Sequence, residues 1–146
     1  MTWIVLLLVV VIIVWVHCAR GMSFRDRINA ALDIVESSHF VAAEGFEDAR
    51  REDADLMGWV KADKDCVMLF RSEHGAHVKE VVDVASGSFH PGLVVHFEDG
   101  RAVRTDEGEL TDEKLRGKAE ELLKRVRRVV QQIHPELIEN YDGFHY

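Results

Sequence analysis

Leu56-Met57-Gly58-Trp59-Val60-Lys61-Ala62-Asp63-Lys64-Asp65-Cys66-Val67-Met68-Leu69-Phe70 is where the chain settles into a period of two. Met57 and Trp59 alternate with Leu56, Gly58 and Val60. Ala62 to Asp65 supplies turn chemistry, and Cys66, Met68 and Phe70 then alternate with Val67 and Leu69. Two alternating runs joined by a short polar turn predict a β-hairpin. Glu73-His74-Gly75 ends the second run. Val78, Glu80, Val82 and Val84 share a face of a third strand, which Ser86-Gly87-Ser88 closes. After Pro91-Gly92, Leu93, Val95 and Phe97 face one way and Val94, His96 and Glu98 the other. A fifth strand follows the turn at Glu98-Asp99-Gly100. A two-residue Asp-Gly loop would pair His96 with Val103 and Val95 with Arg104, mixing core and surface. A three-residue loop with Gly100 left-handed pairs Val95 with Val103 and is the expected form.

Helices flank this meander. Ser23 and Asp26 fit a capping box, and Phe24, Ile28, Ala31, Leu32 and Val35 form one apolar face of a helix reaching about Ala43. Glu44 to Asp55 is a charged connector, expected to be solvated. At the far end Thr111 is the expected cap, with Asp112 and Glu113 in the first turn. Leu115, Ala119, Leu122, Leu123, Val126, Val129, Val130 and Ile133 then recur at helical spacing until Pro135. The fold class is therefore α+β: a helix, an antiparallel meander of about five strands, and a long C-terminal amphipathic helix.

An apolar run precedes all of this, from Trp3 to Val16. As a helix it reaches about 21 Å; with Met1, Thr2, His17, Cys18 and Ala19 it reaches about 28 Å, close to a hydrocarbon core of about 30 Å. A cleaved secretory signal would want a basic residue ahead of the run, where only Met1-Thr2 stands, and small residues at a cleavage site, for which His17-Cys18-Ala19 is a poor fit. A buried core helix is the third reading. The expectation is a single transmembrane helix over 1–19, contacting the bilayer through Trp3, Leu7, Val11 and Trp15. A linker over 20–22 and a soluble domain over 23–146 follow. Arg20, Arg25 and Arg27 lie after the run and no basic residue lies before it, so the domain is expected on the cytoplasmic side of a single-pass membrane protein.

The 146 residues leave one modest core, and a net charge of −8 argues against nucleic acid. Two cysteines, Cys18 and Cys66, do not make a disulfide framework. Among the eight histidines, His74, His77, His90 and His96 are the candidate metal ligands. No Cys-x-x-Cys or His-Glu-x-x-His spacing supports them. Neither a phosphate loop nor a nucleophile with a base stands out, so no cofactor and no catalytic residue is expected.

What remains is an interaction protein, an accessory or regulatory subunit of a membrane-associated assembly. The candidate partner surface is Lys114, Lys118, Lys124 and Arg127 on the outer face of the last helix. The tail over 135–146 adds Tyr141, Phe144 and Tyr146. Self-association is compatible with this reading. The alternatives are an envelope-facing or secreted domain, of the phage-lysis or envelope-maintenance kind, and a small histidine-dependent metal hydrolase.

Overall fold

The computed structural model of the protein describes residues 2–20, 23–86 and 92–138. It is α+β. Helix α1 (Thr2–Arg20) is followed by α2 (Phe24–Ser37), strand β1 (Val41–Ala42), the short helix α3 (Phe46–Glu52) and strands β2 (Leu56–Ala62), β3 (Asp65–His74) and β4 (His77–Ser86). Strands β5 (Leu93–Glu98), β6 (Arg101–Thr105) and β7 (Gly108–Glu109) come next, then α4 (Glu113–Ile133) and α5 (Pro135–Ile138). All seven strands form one sheet in sequence order, each antiparallel to its neighbour. The expected five are the long strands. The two extra are dipeptide edges, too short to show a period.

The transmembrane expectation is corrected. Among the described residues no helix is both long and apolar enough to cross a membrane. The reason lies in where the apolar part of α1 stops. After Val16 the helix continues through His17, Cys18, Ala19 and Arg20, so its purely apolar section covers about 21 Å of the roughly 30 Å required. The single-pass membrane location and the topology built on it go with it. Trp3, Leu7 and Val11 stand exposed on α1, and the Trp15 side chain lies outside the described residues. No described side chain of α1 belongs to the core.

The core lies between the sheet and a layer of two helices. Ser23 caps α2 as expected, its Oγ accepting from the Asp26 N–H at 3.3 Å. The helix stops at Ser37 rather than near Ala43, because Val41 and Ala42 pair with Lys61 and Val60 as an edge strand. At α4 the cap is Asp112, one residue after the expected Thr111. Its carboxylate accepts from the Lys114 and Leu115 N–H groups. Ile28, Ala31 and Val35 of α2 and Ala119, Leu122, Leu123, Val126 and Val130 of α4 are buried. They cover Val60, Val67, Leu69, Val82, Val84, Leu93, Val95 and Phe97. Those strand residues are cross-strand neighbours on one face.

The β5–β6 turn corrects the expected loop. Glu98 pairs with Arg101 and Phe97 with Ala102, so the loop is the two residues Asp99 and Gly100, both at positive φ (51° and 82°). The register then shifts, pairing His96 with Arg104 and Val95 with Thr105. Val103 is the extra residue of a bulge, and the bulge restores the inward face that a plain two-residue loop would have scrambled.

A second irregularity lets α4 approach. The register of β2 against β3 shifts between Leu56 and Gly58, and a Cβ on Gly58 would lie 2.5 Å from Cγ2 and 2.7 Å from Cγ1 of Val130. Val130 is β-branched and fully buried, so it cannot turn aside. Gly58→Ala is expected to cost about 1–3 kcal/mol through overpacking. A urea midpoint unchanged from that of the parent would show that the helix can lift without penalty.

The charged connector is half helix. Phe46 of α3 is buried and stacks on the His134 ring with centroids 4.2 Å apart. His134 is buried at the end of α4, and its Nε2 finds no hydrogen-bond partner among the described residues. Burial lowers its pKa below the ordinary 6.5; a hydrogen bond with the Trp59 backbone and the charges of Glu136 and Glu47 pull the other way. The unfolded chain thus binds this proton more readily than the folded one. Stability contributed by neutral His134 is fully present above pH about 6.5 and lost as pH falls through the lowered folded value. His134→Leu is expected to lose less stability than the parent between about pH 7 and pH 5. Equal losses in urea titrations would remove His134 from the acid response.

Candidate docking face

The sheet has a second face, turned away from α2 and α4; at its β2 edge a Cβ on Gly45, the residue before α3, would lie 3.9 Å from Cζ3 of Trp59. Along β2 to β6 the side chains pointing away from α2 and α4 include Trp59, Met68, Phe70, Val81, Val94 and Val103, all half-buried. Register places them in rows. Phe70 lies beside Val81, which lies beside His96, which lies beside Arg104. The row on one side reads Ser72, Lys79, Glu98, and the row on the other Trp59, Met68, Asp83, Val94. A groove of about 580 Å³ runs over the first two rows, with Asp53 and Asp55 at its β2 side and Glu109 of β7 at the other. Asp55 is tied in place by its carbonyl, which accepts from the Arg71 N–H at 2.7 Å, and by its N–H, which donates to Asp53 Oδ1 at 3.0 Å.

Polar and apolar side chains share this face. Burial, and secondarily the nearby Asp106 carboxylate, raises the Asp83 pKa above the ordinary 3.8. Burial, and then Arg104, lowers that of His96 below 6.5; Nη2 of Arg104 lies 3.5 Å from His96 Nδ1. Cys66 is a free thiol whose sulfur accepts from the Trp59 indole N–H at 2.9 Å.

The histidines do not converge. His74 and His77 are opposite one another at the tip of the β3–β4 hairpin, across Gly75 and Ala76. His77 Nδ1 is 3.1 Å from Asp99 Oδ2. A hydrogen bond from the Val78 backbone, then that from His77, holds Asp99 below the usual carboxylate range. His96 belongs to the Phe70 row of the open face, and His90 lies outside the described residues. Among the described residues, no three His, Cys, Asp or Glu side chains gather where they could hold a metal.

The expected basic surface is divided. Lys114 and Lys124 are exposed. Lys118 reaches across to α2 and donates to Asn29 Oδ1 at 2.9 Å. Arg127 turns inward to the buried Glu80, its Nε donating to Oε2 at 3.1 Å and its Nη2 to Oε1. Tyr141, Phe144 and Tyr146 lie outside the described residues.

Sequence reasoning missed the open face, although it carries a signal. A strand in a sheet with one wet face alternates apolar with polar residues, whereas one apolar on both sides belongs to a sheet covered twice. Val81-Val82, Val94-Val95 and Val67-Met68-Leu69-Phe70 are apolar on both sides. Two helices cover one side only. No family model matches the chain, and no curated protein or solved structure shows significant similarity to it.

Proposed function

We propose that this chain is a non-enzymatic interaction module, an accessory or regulatory subunit that docks a protein partner on its open sheet face. One observation carries the reading: five adjacent strands present Trp59, Met68, Phe70, Val81, Val94 and Val103 on the face turned away from α2 and α4. Adjacent apolar side chains left only half-covered on a folded domain suit an interaction site. The rim around them is polar, as interface rims are. The reading puts the partner on the sheet instead of on the outer face of α4, where Lys118 and Arg127 already serve the fold.

The two surfaces are separated by photo-crosslinking in cells. A benzophenone side chain at Ser72, in the groove, is expected to capture one discrete partner; the same group at Lys114 is not. Adding Phe70→Glu to the Ser72 probe should abolish the crosslink while the domain still melts cooperatively, because Phe70 faces away from α2 and α4. Crosslinks from Lys114 alone, or crosslinks from Ser72 that survive Phe70→Glu, would move the interface off the sheet.

A further inference from the structure

We infer that the occupant of the groove is an amphipathic helix of about 16 residues carrying a cluster of Lys or Arg at the end that lies over Asp53 and Asp55. The inference rests on the docking-face reading and names its partner. Length comes from the sheet. From the β2 side to β7 the groove crosses five strand spacings, about 24 Å, which a helix covers in about 16 residues.

Helical form comes from hydrogen bonding. The inner strands have their backbone groups engaged in the ladders, so the floor offers none to a ligand. An extended segment laid over Phe70, Val81 and Val103 would leave its own N–H and C=O groups unpaired. A helix satisfies them internally and turns an apolar stripe to the floor.

Sign comes from the charges. Lys79 stands opposite Glu98, and Arg104 opposite Glu109, so those pairs offset each other. Arg71, also in the groove wall, is buried and pairs with Glu73. Asp53 and Asp55 stand exposed together at the β2 end. The chain as a whole carries −8. That field attracts a basic segment and opposes a second copy of the same chain.

The probe is a capped peptide of about 16 residues. It has leucine at helical i, i+3, i+4, i+7 spacing on an Ala/Gln background, three Lys at one end, and a fluorophore. Its control replaces the three Lys with Glu. Titrated with the full chain at about 50 mM salt, the basic peptide is expected to bind about tenfold tighter or more. Asp53→Asn with Asp55→Asn should erase most of that difference, since the amide oxygen of asparagine at position 53 keeps an acceptor for the N–H of residue 55. Phe70→Glu should remove binding of both peptides. Equal affinity for the two peptides, or a preference untouched by the paired Asn substitutions, overturns the inference. So does a dimer in sedimentation that Phe70→Glu dissolves, which would make a second copy the occupant. If neither peptide binds while the Ser72 crosslink persists, the basic helix falls and the docking face stands. Loss of both signals ends both.

Discussion

Leu122→Asp or Val126→Asp is expected to abolish cooperative melting of the domain. Both side chains are fully buried, on the stripe of α4 that packs against α2 and the sheet. An unpaired carboxylate placed there costs several kcal/mol, and the volume of the lost leucine or valine adds to it. Domains of this size have only about 5–15 kcal/mol in total, so one such substitution consumes most of it. Lys114→Asp, in the exposed first turn of the same helix, serves as the control, with a melting temperature near that of the parent. Circular dichroism decides the matter: a Leu122→Asp protein that melts like the control would show that the stripe is not the core.

That stripe was legible in the sequence because helical periodicity survives any arrangement of neighbours. The inward face of the meander was legible for a similar reason. Leu93, Val95 and Phe97 on one side, and Val82 and Val84 on another strand, alternate without interruption. Registers at the bulges were not. The β5–β6 turn satisfies Asp99-Gly100 locally and corrects the pairing at Val103, a trade that a fixed-register comparison of loop lengths does not contain. Edge strands escaped because two residues make no period. The apolar run over 3–16 led furthest astray: its composition is membrane-like, but its length falls short once the helix beyond Val16, which carries His17 and Arg20, is set aside.

The candidate site was half visible. Both Val81-Val82 and Val94-Val95 put a valine on each side of the sheet, which asks for two covers where α2 and α4 among the described residues supply one. The basic face of α4 is plain in the sequence because Lys114, Lys118, Lys124 and Arg127 are helically spaced. Charge spacing cannot distinguish a cation on the surface from one that reaches under the helix. Arg127 does the latter, and nothing in its sequence neighbourhood marks Glu80 as its partner 47 positions away.

Arg127→Met is therefore expected to destabilise the domain by about 3–5 kcal/mol, far more than loss of a surface cation would. Glu80 is 1% exposed and faces the helix layer from the middle of β4. Arg127 occupies both of its carboxylate oxygens. Methionine keeps much of the volume and removes the charge, leaving a buried carboxylate without its main partner. The buried Arg71, opposite Glu80 on β3, moderates the loss but is itself paired with Glu73 at 3.2 Å. The double change Glu80→Leu with Arg127→Met removes both desolvated charges, and well-packed apolar replacements of such pairs are often neutral. It is expected to recover more than half of the stability lost by Arg127→Met alone. Chemical denaturation of the two variants measures this directly. If the double variant is no more stable than the single, Arg127 supports the fold through its packing and not through Glu80.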